Sequence, residues 1–362
     1  MRRAVKIKLV NEPALIETIC QYSKIKQITC DYGLKKKTYN KNKLHKWLYK
    51  KLRKQFPDMP SAILQTARDV ASETLKRTKF KNKIKGKEYS AMRLDKRNLR
   101  VNTKHGLISI SSINGRKKLK FAIDNPILTK YKDWSAVAGQ LCFKNKQLYL
   151  NVILQKENLV KLIPNKVLGI DRGINNIVVC SNNQFFSSNH LKAIKGEYQW
   201  LKSKLQTVGT PSARRKLKKV AGRERRFVCD INHKLSKVIA NSEYDAFALE
   251  DLHKFKQNKG RKFNKKLGNW SFKQFEIFLI YKSEELGKTV IKVNPKYTSQ
   301  VCSSCGHKDK SNRNENNFKC LNCGFEIHAD LNASRNIANL GISEINRLSV
   351  NQPIVTPMVV TS

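Results

Sequence analysis

Three acids in this sequence interrupt or end strongly apolar segments: Asp171 inside VLGIDRGI, Glu250 at the end of FALE, and Asp330 at the head of DLNASRNIAN. A carboxylate in such a place loses hydration worth several kcal/mol unless something compensates it, so each needs a partner. Brought together, the three would repel one another and take up protons unless a divalent cation sat among them. Hard carboxylate oxygens with room for phosphate and water suit Mg²⁺. Two such ions ~4 Å apart can activate water on one side of a phosphodiester and stabilise the leaving oxygen on the other. Each acid also has a plainer reading. Asp171 could be a turn residue before Gly173, and Glu250 could pair with a lysine while Asp251 competes for the metal. Asp330 could cap a helix through the amides two or three residues on.

The cysteines are more specific. Cys302-Ser-Ser-Cys305 and Cys320-Leu-Asn-Cys323 each precede a glycine, and fourteen residues separate the two pairs. Cys-x-x-Cys-Gly turns let backbone amides donate to thiolates, and the spacing is that of a zinc ribbon. Four soft ligands close a tetrahedron, so this Zn²⁺ is expected to be structural, with no open position for hydrolysis. His307 and His328 lie nearby as hydrogen-bonding or exposed residues. The remaining cysteines, Cys20, Cys30, Cys142, Cys180 and Cys229, sit among apolar neighbours and read as small buried hydrophobes; no disulfide framework is indicated.

Such a site needs a scaffold and a polyanionic ligand, and composition supplies the signal for both. Lys and Arg number 73 against 27 Asp and Glu, a formal charge of +46, while 40% of residues are hydrophobic. A globular body of that charge is strongly self-repelling unless nucleic acid neutralises it. Basic runs without matching acids occur twice. The run from Lys35 to Lys54, which includes Lys46, Lys50, Lys51, Arg53 and Lys54, is interleaved with Tyr39, Trp47 and Tyr49, and Trp47 is expected to fill the helical core. Arg214, Arg215, Arg223 and Arg226 belong to a second run in which Glu224 is the one nearby acid, which favours a phosphate-facing helix. There is no signal-peptide pattern and no run of about 18 uncharged residues to span a bilayer. The expectation is a cytoplasmic protein with no membrane partner.

Along the chain, MRRAVKIKLV alternates as a half-buried strand, and residues 12–76 have helical spacing. Tyr89 to Leu154 reads as strands with turns, including the hairpin signal Asn114-Gly115. Lys166 to Cys180 reads as a strand hairpin. Two long helical patterns follow, then a buried strand at 245–252, an amphipathic helix from about 271 to 286, a strand at 289–293 and a helix opened by Asp330. Alternating strand and helix from 166 to 340 argues for an α/β domain, and the residues beyond 341 for a frayed tail.

The succession GIDRGINN, ALEDL and TSQVCSSCGHKDKSNRNENNFKCLNCGFEIHADLNASRNIANLG resembles the transposon-encoded TnpB (OrfB) proteins, compact RNA-guided DNA endonucleases related to type V CRISPR effectors. ARRKLKKVAGRERRFVCDINHKLSK resembles the family's helical segment. Over residues 1–155 the likeness rests on architecture and on MRLDKRNLRV. The resemblance implies an α/β RNase H-like (RuvC) nuclease domain at 165–300 and 324–342, with a zinc ribbon inserted at 301–323. It further implies a β-barrel wedge domain at 1–10 and 81–160, interrupted by a helical recognition insertion at 11–80, and a flexible tail at 343–362. Asp171, Glu250 and Asp330 match the metal-binding acids, for two Mg²⁺ ions, and Arg313 falls where relatives often carry a basic residue near the cleft. Arg172 falls at a position taken as variable. The implied partners are a guide RNA encoded near the gene and double-stranded target DNA next to a short transposon-adjacent motif, bound by a monomeric protein that reads backbone shape while base pairing reads sequence. Two other readings compete: a catalytically silent RNA-guided repressor, and an RNA-independent zinc-ribbon protein that assists a transposase.

Overall fold

A computed structural model of the chain describes residues 1–80, 84–121, 130–157, 164–252 and 272–350. It forms two units, Met1–Glu157 and Asn158–Ser362.

In the first unit, strand β1 (Arg2–Lys8) buries Val5 and Ile7 and turns Arg2, Lys6 and Lys8 outward, as its alternation requires. Helices α1 (Pro13–Lys35), α2 (Lys41–Gln55) and α3 (Ser61–Thr78) follow. The strands after them are β2 (Met92–Leu94), β3 (Leu99–Asn102), β4 (Leu107–Ser112), β5 (Gly115–Lys120), β6 (Ser135–Lys144) and β7 (Gln147–Gln155). They build two antiparallel sheets, β1-β7-β6-β2 and β3-β4-β5, that share one core with the helices. A continuously hydrogen-bonded barrel, the expectation from sequence, is therefore not formed among the described residues. The break falls at a turn from Asp95 to Asn98, where the Asp95 carboxylate accepts from the Arg97 amide and parts β2 from β3.

The second unit is an α/β layer structure. Its strands are β8 (Val167–Asp171), β9 (Asn176–Cys180), β10 (Phe185–Ser187), β11 (Ala246–Glu250) and β12 (Thr289–Val293), in the order β10-β9-β8-β11-β12. β8, β9 and β10 are an antiparallel meander; β11 and β12 run parallel to β8. Helices α4 (Asn189–Val208), α5 (Pro211–Ala240) and α6 (Phe272–Glu285) supply one layer, and α7 (Ala329–Val350) the other. Thr210 caps α5 by accepting from the Ala213 amide, with Pro211 at the first helical position.

The strands' period of two sorts their side chains between the layers. Leu168, Ile170, Phe247 and Leu249 pack with Leu191, Val228, Ile239, Phe275 and Leu279 of α4, α5 and α6. Val167, Ala246, Ala248, Ile291 and Val293 pack with Ile337 and Ile345 of α7. α7 runs to Val350, so the tail expected from 343 is helical over its first residues, and the rest, 351–362, lies outside the described residues. The three-stranded sheet of β13 (Arg313–Asn314), β14 (Asn317–Lys319) and β15 (Glu326–His328) carries the cysteine segment past the expected ribbon end at 323 and directly into α7.

Candidate active site and zinc centre

Asp171 and Glu250 are the last residues of two adjacent parallel strands. The register pairs Ile170 with Leu249, so the two acids stand side by side at the strands' C-terminal ends. Parity decides their face: Asp171 follows Val167 and Gly169, Glu250 follows Ala246 and Ala248, and that row faces α7. The same parity turns Asp251, the rival ligand, to the opposite face.

α7 brings the third acid. Gly169 lies beneath it: a Cβ there would collide with the Ser334 carbonyl oxygen and stand 2.5 Å from the Ala338 nitrogen. Gly341 plays the reciprocal part, since a Cβ on it would be 2.6 Å from that of Ala248. These close approaches bring the first turn of α7, with Asp330, to the strand ends. There Asp330 does not act as the helix cap that its sequence position suggested. Its oxygens accept instead from Arg313 Nη2 (3.2 Å) and Asn176 Nδ2 (3.2 Å), while its amide donates to His328 Nδ1 (3.2 Å). The helix dipole favours a carboxylate at this end.

Electrostatics reports the convergence. The Asp171 carboxyl is pushed up to about 8, first by burial, then by the charges of Glu250 and Asp330, with Arg313 opposing. Burial likewise raises Glu250, offset by the Thr298 hydroxyl, which donates to its Oε1 at 2.6 Å, and by the charges of Arg172 and Arg313. Acids held so reluctantly in their charged form are a fit for a divalent cation. Among the described residues, though, the four cysteines are the one group of three or more metal-ligating side chains whose ligand atoms all lie within 4.8 Å of one another. The three carboxylates do not all lie within that distance of one another, and the Arg313 guanidinium rests on Asp330.

Sequence reasoning missed the support beneath them. Arg172, taken as variable, is buried: its guanidinium donates to the Glu250 carbonyl oxygen and to Glu276 Oε2 (3.2 Å). Glu276, from α6, also pairs with Lys292 of β12 at 2.5 Å. Burial pushes Glu276 up, but these two cations outweigh it and hold the carboxyl below its usual range. A buried pair whose Nη donors also reach carbonyls fixes geometry more than it adds stability. An acid at position 276 in an otherwise apolar helical stripe was the available signal.

The cysteines form two matching knuckles. Gly306 and Gly324 take φ of +77° and +71°, a region that favours glycine, and each amide donates to the carbonyl of the first cysteine of its pair. The amides of His307 and Phe325 then point at Cys305 and Cys323, and that donation is the main cause pulling the Cys305 thiol down to about 6. Cys302 Sγ lies 3.8 Å from Cys323 Sγ, and Cys305 Sγ 3.6 Å from Cys320 Sγ. A tetrahedron with Zn–S bonds of ~2.3 Å has edges of ~3.8 Å, so the sulfurs match the ion.

The basic candidates divide. Lys46, Lys50, Lys51 and Lys54 are exposed on α2, as are Arg214, Arg215, Arg223 and Arg226 on α5. Arg53 instead donates to the Met59 carbonyl oxygen, closing the turn after α2. Trp47, expected in the core, is 43% exposed, because Leu44, Leu48 and Leu52 already form the buried stripe of α2 and Trp47 falls on its shoulder, edge-on to Tyr32.

The comparisons bear on both halves of this site. A family model described as a probable transposase, OrfB_IS605, matches residues 151–259, and the Cas12f1-like TNB domain matches 272–337. A CRISPR-associated endodeoxyribonuclease Cas12f1 of Sulfoacidibacillus thermotolerans is 41% identical over 119 residues, 32% of this chain and 27% of that protein. A TnpB-like protein of Methanocaldococcus jannaschii is 33% identical over 127 residues, 33% of this chain and 45% of its own length. The chain thus spans less than half the length of these curated relatives. A cryo-EM structure of a Cas12f1-sgRNA-target DNA complex aligns with a TM-score of 0.59 at 16% identity, covering 94% of this chain and 99% of that one. In fold, then, the chain is similar to that Cas12f1 structure. The two family models fall on the stretch that holds the three acids and the four cysteines, and over it the chain is similar to the OrfB and Cas12f1-like proteins.

Proposed function

We propose that this chain is an RNA-guided DNA endonuclease of a transposable element, which cuts target DNA beside a short transposon-adjacent motif by metal-assisted phosphodiester hydrolysis. The observation that carries the reading is the mutual effect of Asp171, Glu250 and Asp330 at one end of an α/β sheet. The sheet is read as an RNase H-like core, the cysteine segment as its zinc ribbon, and the first unit as a wedge domain with a helical recognition insertion. Relatives named as endodeoxyribonucleases, and a structural neighbour solved with sgRNA and target DNA, support it.

In this reading Asp171, Glu250 and Asp330 hold two Mg²⁺ ions and the four cysteines one structural Zn²⁺. When bound, Mg²⁺ would lower the pKa of water and offset charge on the phosphate. The chain's residues do the rest. Asp171 and Glu250 present oxygens from a rigid sheet edge, Thr298 orients the Glu250 carboxylate, and Arg172 pins its backbone. Arg313, one third exposed, is the cation able to leave Asp330 for an incoming phosphate. Guide RNA and double-stranded target DNA are the partners, and the protein acts as a monomer within the ribonucleoprotein.

The test is to purify the protein with RNA from its native locus and challenge it with a target library of randomised flanks, in Mg²⁺ and in EDTA. Cutting in Mg²⁺ that Asp171→Ala abolishes is expected. Guide-dependent binding without cutting would favour the silent repressor, and duplex binding that survives ribonuclease the transposase accessory.

A further inference from the structure

α4 carries a feature that the carboxylate site does not use. Trp200 is 60% exposed, an expensive place for an indole. One turn before it, Gly196 has no atom within 4 Å of where a Cβ would stand, so the approach to the ring is open. Gly196, Glu197, Trp200 and Leu201 line a shallow concavity of about 490 Å³. One turn further on, the Lys204 ammonium sits 4.0 Å from the indole centroid. An exposed indole with a cation over its ring suits a planar ring attached to an anion. Charge narrows the occupant, because α4 and α5 together carry fourteen Lys and Arg against three acids, which repels a second copy of this chain and attracts nucleic acid.

The start of α4 is tied to the carboxylate site. Lys192 donates to the Asn175 side chain (3.1 Å), and Ser188 to the carbonyl oxygens of Ile174 and Asn175, in the turn between Asp171 and the Asn176 that holds Asp330. Trp200 lies eight residues beyond Lys192, roughly 12 Å along the helix axis. One continuous helix thus joins the turn beside the carboxylates to the indole.

We propose that Trp200, with Gly196 and Lys204, is a base-stacking subsite for the single-stranded DNA being led to or from the carboxylate site. This rests on the nuclease reading for which strand is bound, but not for whether it binds. The lysine takes the adjoining phosphate, and stacking makes the site tolerant of sequence.

The experiment measures binding of a fluorescently labelled single-stranded DNA to the full chain in EDTA, so that cleavage plays no part, with a duplex and an RNA of the same sequence in parallel. Trp200→Ala is expected to weaken single-stranded DNA binding by about 5- to 100-fold, with Trp200→Phe retaining most of it and duplex affinity changing less than about twofold. The thermal midpoint should stay unchanged, because an exposed ring contributes little to the core. Photocrosslinking of 5-iododeoxyuridine in the bound strand should map to Trp200. Unchanged single-strand affinity in Trp200→Ala, or equal losses on strand and duplex, would overturn the subsite. Equal losses on RNA and DNA would overturn the assignment to the DNA strand. Failure of the nuclease reading would appear separately, as missing Mg²⁺-dependent cutting by a protein whose binding depends on Trp200.

Discussion

Asp171→Asn should make the metal-free protein more stable while removing its metal response. In the folded chain the Asp171 carboxyl titrates at about 8, against an ordinary 3.8. The folded state therefore binds this proton more tightly than the unfolded state does. Its contribution is fully present below the unfolded value and is lost as pH rises, at ~1.4 kcal/mol per unit, until about pH 8. At pH 7 the accumulated loss is about 4 kcal/mol, and asparagine, neutral throughout, escapes it. For a unit of this size, where 1 kcal/mol moves the midpoint by ~2–4 °C, the variant should melt about 8–16 °C higher in EDTA. The assay is a set of melts at pH 5 to 9, variant against wild type, because the difference curve cancels groups such as Glu276 whose shifts run the other way. The gap should widen from pH 5 to 8 and then level. In Mg²⁺ the wild type should recover stability and the variant should not. Superimposable curves in EDTA, or a less stable variant, would refute the claim that three acids share one low-dielectric pocket.

Thr298→Val removes the hydroxyl that keeps Glu250 charged, so its carboxyl rises further and cutting should fall more at pH 6.5 than at pH 8.5; equal losses at both would mean the hydroxyl acts otherwise. Gly169→Ala forces a methyl into the backbone of α7, and should cost about 1–3 kcal/mol by urea unfolding and displace Asp330 enough to stop cutting. Full activity in that variant would show that α7 docking does not set the third ligand. Zinc analysis should find one ion per chain, lost in Cys323→Ser and released on acidification with uptake of protons by the thiolates; full retention in Cys323→Ser would mean that the four cysteines do not hold the ion.

Much of the chemistry was legible along the chain because it is local. A Cys-x-x-Cys-Gly knuckle is closed by bonds spanning five residues, Cys302 to His307 and Cys320 to Phe325, so spacing alone announces it. Period-two alternation in MRRAVKIKLV set the inner face of β1, and an acid ending an apolar run marked Asp171 and Glu250 as residues needing a partner. Local signals misled where a residue's fate depended on what else competed for the core: three leucines already filled the inner side of α2, and Trp47 was left outside. Which acids meet was decided only in three dimensions. A parallel pairing across nearly eighty residues set Asp171 beside Glu250, and the absence of a side chain at Gly169 let α7 carry Asp330 down to them. Arg172, Glu276 and Thr298 acquired their roles in the same way, since a buried charge is intelligible only once the groups that surround it, drawn from distant strands and helices, are in place.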